Sequence, residues 1–132
     1  MKKSMVFGTF DILHKGHLSL FNQAKKHGFL IAVVARNDTV KKVKGRFPHY
    51  SEKERLKHVK IHADKAVLGY KTDKYKIIEK FKPDVICLGY DQNPFTKELR
   101  KELKKRKIKA KIVRLRPYKP NLYKSSLLRK TF

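Results

Sequence analysis

The chain has 132 residues, with 35 Lys and Arg against 11 Asp and Glu, a formal net charge of +24. That length suits one domain burying roughly two-thirds of its unfolded surface, and a hydrophobic share of 40% excludes a disordered tail. No apolar run reaches the roughly 18 residues a membrane helix needs, no signal peptide is read at the start, and a single cysteine, Cys87, leaves no internal disulfide. A cytoplasmic protein is expected.

The cations are 27 Lys and 8 Arg. So large an excess calls for anionic partners, but lysine is a hydrated point charge rather than a recognition fork. Most of these side chains read as a solvated surface. The densest cluster, residues 97–116, holds eleven Lys or Arg opposed only by Glu98 and Glu102.

Apolar runs and helical patterns alternate along the chain. Met5-Val6-Phe7 reads as a strand ending at Gly8. Leu18, Phe21 and Ala24 place a helix over 16–27, which Gly28 stops. Phe29 to Ala35 lacks alternation, as in a strand buried on both faces. The segment carrying Lys44 and Arg46 reads as a loop. Ser51 and Glu54 form a capping-box pattern opening a helix through about His58. A strand over 65–68 and a helix over 73–81 follow, then a buried strand over 84–88 ending at Gly89. Thr96 is the expected N-cap of a helix through about Arg106, with Leu99 and Leu103 on its inner face. An edge strand over 108–115 and a final helical turn over 124–130 close the pattern.

These elements predict one α/β domain spanning residues 1–132: a Rossmann-like, five-stranded parallel sheet with helices on both faces. Ligands bind such sheets beyond the carboxyl ends of the strands, which directs attention to Gly8-Thr9-Phe10-Asp11 and Gly89-Tyr90-Asp91-Gln92. In the first segment Gly8 permits a tight turn and Gly16 leaves backbone open to a ligand. His14 and His17 stand three residues apart where a helix begins. Two imidazoles beside the positive end of a helix form a phosphate clamp that also stabilises developing negative charge. No third ligand of suitable spacing makes the histidines a metal site.

The string Gly8-Thr9-Phe10-Asp11, then His14, Gly16 and His17, resembles the signature of the cytidylyltransferase-like nucleotidyltransferase superfamily. Further blocks, Ala35 to Val40, Lys44-Gly45-Arg46, Gly89 to Gln92 and Tyr123 to Ser126, are similar to its archaeal-type FAD synthase branch. Glycerol-3-phosphate cytidylyltransferases usually have tryptophan where Gln92 stands, and a Thr- and Ser-rich closing segment that is missing here.

The resemblance implies nucleotidyl transfer: ATP and FMN giving FAD and pyrophosphate, or alternatively CTP and glycerol 3-phosphate or a similar phospho-alcohol. It implies that His14, His17 and Lys44 are catalytic. Gly8, Thr9, Phe10, Gly16, Asp91, Gln92, Lys124, Ser125 and Ser126 are expected to hold the nucleotide. Asp11, Asp38, Arg46 and Arg55 are expected at the acceptor or its phosphate. A divalent cation, Mg²⁺, is expected with the triphosphate, and related proteins suggest a homodimer. A reading of another class makes the chain a catalytically silent binder of RNA or an anionic membrane surface through 97–116.

Overall fold

The computed structural model describes residues 1–89 and 92–117. Five strands, β1 (Lys3–Gly8), β2 (Phe29–Val34), β3 (Lys65–Leu68), β4 (Val85–Leu88) and β5 (Lys111–Arg114), pair in parallel in the order β3-β2-β1-β4-β5. Among the described residues five helices connect them: α1 (Lys15–Lys25), α2 (Asn37–Lys44), α3 (Glu52–Lys60), α4 (Lys76–Phe81) and α5 (Asn93–Lys105). The predicted α/β class and parallel sheet are therefore observed. The final helical turn expected over 124–130 lies outside the described residues.

Two elements differ from expectation. Residues 37–44 form α2 rather than a loop, because Val40 is buried and gives the segment one inward anchor. Its remaining residues after Val40 are Lys41, Lys42, Val43 and Lys44, so its outer face shows no apolar stripe to read. Helix α5 starts after Gln92, not at Thr96; Pro94 in its first turn suits a position whose N–H has no helical partner.

The sheet separates two cores, and β2 shows how. Leu30, Ala32 and Val34 face one side with Phe21 and Ala24 of α1 and Val59 of α3. Ile31 and Val33 face the other with Ile77 and Ile78 of α4 and Leu99 and Leu103 of α5. An alternating strand with apolar residues at both parities is buried twice, and each large side chain contributes about 1.5–3 kcal/mol. Cys87 lies in the first core with no exposure, and burial pushes its thiol up to about 11, so it is packing rather than chemistry. Gly28 makes the return from α1 to β2 at φ +144°. A Cβ there would lie 2.5 Å from the Lys2 carbonyl, which accepts from the Phe29 N–H at 2.9 Å.

The outer strands β3 and β5 begin with exposed lysines, Lys65 and Lys111. Behind β5, Arg106 is spent on the fold. It donates to Glu102 at 2.8 Å, Asp73 at 3.0 Å and Glu79 at 3.1 Å, and lies over the Tyr75 ring at 5.7 Å. One of the eleven cations in 97–116 thereby binds α5 to the approach to α4.

The strand order reverses at β1, whose neighbours are β2 and β4. Register between β1 and β4 ends at Val6 with Cys87. Beyond it the two strands part, and the segments after Gly8 and Leu88 flank the opening. That is where a parallel sheet of this kind holds its ligand.

Candidate functional site

The segment after β1 is built around Phe10, which adopts φ +50°, a conformation that side chains other than glycine rarely take. The ring is 4% exposed, 5.2 Å from Phe21 and 5.8 Å, edge-on, from the His17 ring. The Phe10 ring joins the core beside His17, so any contact of this residue with a nucleotide falls to its backbone. Gly8 serves the same packing. A Cβ on it would fall 2.8 Å from Phe10 Cζ, so the glycine makes room for a ring. Replacing Gly8 with Ala is expected to destabilise the protein by about 1–3 kcal/mol. The same change in a Phe10→Ala background should cost far less, which a double-mutant cycle by urea unfolding checks.

His14 is the N-cap of α1. Its Nδ1 accepts the Gly16 N–H at 3.0 Å, and the His17 Nδ1 accepts the His14 N–H at 3.3 Å, a capping box made of two imidazoles. The ring centroids are 4.1 Å apart. The Gly16 N–H, expected to be open to a ligand, is thus occupied by its own cap. A ring that accepts at Nδ1 is neutral and carries its proton on Nε2. Each imidazole therefore carries its one N–H donor on Nε2, and that of His14 is buried.

Electrostatics agree. Burial lowers the His14 pKa. His17 falls to about 3, through burial first, then His14, then the Lys44 cation. Lys44, the last residue of α2, is therefore brought within electrostatic reach of His17. The unfolded chain binds a proton at His17 near pH 6.5 and the folded chain does not, so stability must fall as pH drops from about 6.5 towards 3. Unfolding free energies at pH 7.5, 6 and 5 should decline more steeply for the wild type than for His17→Gln. Equal slopes would exclude this account.

Asp11 is 4% exposed, and its carboxylate accepts the His49 N–H at 2.7 Å and the Tyr50 N–H at 2.8 Å. It ties the segment after α2 to the segment after β1. Arg55 is fully buried on α3. Its guanidinium donates to the Tyr50 carbonyl at 3.1 Å, the Thr9 carbonyl at 2.7 Å and Asn37 Oδ1 at 2.8 Å. Arg55, expected at an acceptor phosphate, uses these three bonds to join the segments after β1 and β2 to α3. Burial lowers its pKa, which the neighbouring Glu52 opposes; an arginine stays cationic throughout.

Glu52 extends this network. One carboxylate oxygen accepts the Asn37 N–H at 2.8 Å, at the start of α2, and the other meets Arg36 at 3.3 Å. Arg36 Nε in turn donates to the Gly69 carbonyl at 2.6 Å, beyond β3. Sequence reasoning missed Glu52 and Arg36 as supports. The only signal was position, with Arg36 just after a strand and Glu52 just after a cap.

Gln92 is among the residues expected to hold the nucleotide. Its Oε1 accepts the Gly89 N–H at 2.8 Å and its Nε2 donates to the Phe7 carbonyl at 3.1 Å. It bridges β1 and β4 just where their pairing has ended, and so forms the floor of the opening. Arg114 adds a clasp that sequence reading overlooked, donating to the Gly89 carbonyl at 2.6 Å from the end of β5. Arg46 is exposed two residues after α2 ends, and Asp38 is exposed in the first turn of α2. Asp91, Lys124, Ser125 and Ser126 lie outside the described residues. Among the described residues no group of three His, Cys, Asp or Glu is placed to hold a metal ion, and no helix is long and apolar enough to cross a membrane.

The comparisons with known proteins decide the family. The family model for cytidylyltransferase-like proteins matches residues 5–131. The chain belongs to the cytidylyltransferase-like family. Within it, the sequence is 48% identical over 121 residues to a FAD synthase from Methanothermus fervidus, covering 87% of this chain and 83% of that one. It is 39% identical to the FAD synthase of Thermoplasma acidophilum, covering 98% and 93%. A crystal structure described as a lipopolysaccharide core biosynthesis protein, from Thermoplasma volcanium GSS1, shares the fold with a TM-score of 0.83. That match has 40% identity and covers 89% of this cytidylyltransferase-like chain and 98% of the other.

Proposed function

We propose that this nucleotidyltransferase is a FAD synthase acting in the cytoplasm, transferring the adenylyl group of ATP to the phosphate of FMN. A phosphate oxygen of FMN attacks the α-phosphorus of ATP in line, the bond from that phosphorus to the bridging oxygen breaks, and pyrophosphate leaves with the electron pair. The attacking phosphate is already ionised near neutral pH, so no general base is required. Catalysis then rests on alignment and on stabilising charge.

The observation that carries this reading is the paired imidazole cap at the start of α1, in a chain similar to curated FAD synthases over most of its length. In the proposed complex the Nε2–H groups of His14 and His17 donate to triphosphate oxygens. The α1 N-terminus and Lys44 supply positive potential without placing a charged imidazole against it. Lys44 and Arg46 face the phosphates of both substrates. Thr9 contributes from the loop after β1. Asp91, Lys124, Ser125 and Ser126 belong to the same proposal on the strength of the sequence resemblance. Mg²⁺ would enter with ATP as part of that substrate and would supply neutralisation of the triphosphate charge.

A panel of four nucleoside triphosphates against FMN and glycerol 3-phosphate, with pyrophosphate release and FAD chromatography as readouts, tests the reading. FAD from ATP and FMN is the expected product. Turnover with CTP and glycerol 3-phosphate alone would overturn it in favour of the cytidylyltransferase alternative. Homodimer formation and binding of an anionic polymer through 97–116 are separate parts of the proposal. Sedimentation tests the first, and salt-dependent retention on RNA or anionic vesicles tests the second.

A further inference from the structure

Among the described residues the large hydrophobic side chains left exposed are Met1, Val43, Phe47 and Ile61. Two of these four flank Lys44 and Arg46. Val43 is 78% and Phe47 58% exposed. Their segment is not a loose tip. At one end Lys44 acts electrostatically on His17. At the other, the His49 and Tyr50 N–H groups are held by the Asp11 carboxylate. Phe47 is two residues from His49, so its Cα lies within about 7 Å of that anchor. Lys41 lies over the Phe47 ring at 5.6 Å and donates to the Gly45 carbonyl at 2.9 Å, bracing the turn.

The segment 41–47 therefore carries two exposed apolar side chains among four cations, Lys41, Lys42, Lys44 and Arg46, between the end of α2 and the anchor on Asp11. A purely phosphorylated alcohol would use the cations and leave Phe47 and Val43 wet. A ligand with a flat aromatic body and a phosphate dianion would use both. Resting on the FAD synthase reading, we propose that Phe47, with Val43 beside it, is the platform on which the isoalloxazine ring of FMN lies, and so selects the acceptor. An aromatic face presented to a flat ring system gains by offset stacking as well as by the area removed from water.

Flavin fluorescence titration in the absence of ATP, together with steady-state kinetics, tests the platform. Phe47 is exposed, so its replacement does not threaten the fold. For Phe47→Ala the dissociation constant and the KM for FMN should rise about tenfold, with the KM for ATP within twofold of wild type. Phe47→Tyr should restore FMN binding and deepen the fluorescence quenching on binding. If the wild type makes FAD and Phe47→Ala binds FMN as tightly, the platform is wrong and the FAD synthase reading stands. If both KM values rise together, the side chain supports the site in general, and the platform is again wrong. If the wild type binds FMN in a Phe47-dependent way but forms no FAD, the reaction assignment fails and the platform holds. A wild type that does not bind FMN overturns both.

Discussion

Replacing His14 with Asn should leave the fold almost intact and lower the rate of pyrophosphate release by about 10²–10³-fold. The reasoning separates two roles of one side chain. As an N-cap, His14 supplies an acceptor to the Gly16 N–H, and asparagine is among the best residues for that task. As a charge stabiliser it supplies an Nε2–H donor, which asparagine at the cap cannot place in the same direction. His14→Ala should add a stability loss of about 1 kcal/mol to the same loss of rate. Because the two rings share one capping box, the His14→Asn, His17→Asn double variant should lose less than the product of the single effects. Thermal unfolding and single-turnover rates on the same preparations check both statements. Turnover of His14→Asn within tenfold of wild type would reduce the imidazoles to helix caps.

Arg55 should give the largest stability effect. Arg55→Met keeps much of the volume and removes all three hydrogen bonds, stranding the Thr9 and Tyr50 carbonyls and the Asn37 side chain. Hydrogen bonds from a charged donor contribute about 1.5–3 kcal/mol each, and buried acceptors left unpaired add to the cost. A loss of about 3–5 kcal/mol is expected, a large share of the 5–15 kcal/mol by which domains of this kind are stable. Arg55→Lys keeps the charge but not the fork, and should fall between the two. The urea midpoint is the readout. A shift worth less than about 0.5 kcal/mol in Arg55→Met would show that other contacts join these loops. Activity should fall as well, because the Thr9 carbonyl belongs to the segment that leads into His14.

What could be read from the sequence was whatever depends on near neighbours. The continuous apolar run of β2, the Ser51–Glu54 capping box, which the structure contains in full, and the two histidines at a helix start all depend on residues within a few positions. So did the parallel sheet, through the alternation of strand and helix patterns. What escaped depends on residues far apart. Arg55 reaches Thr9 across 46 positions, and Asp11 reaches His49 across 38. An exposed-looking arginine next to Glu54 gives no local hint that three loops close around it. Phe10 looked like a pocket residue because its strained backbone, which turns the ring inward against Gly8, leaves no trace in hydrophobic spacing. Helix α2 was hidden by its lysines, since a single buried valine sets no period.

The two exposed lysines that open β3 and β5 place a constraint on how copies of this protein meet. An open parallel sheet presents unpaired backbone at both edges, and such edges template aggregation unless they are blunted. Here Lys65 and Lys111 each put a charge at the start of an outer strand. Part of the +24 charge thus works against edge-to-edge pairing of copies.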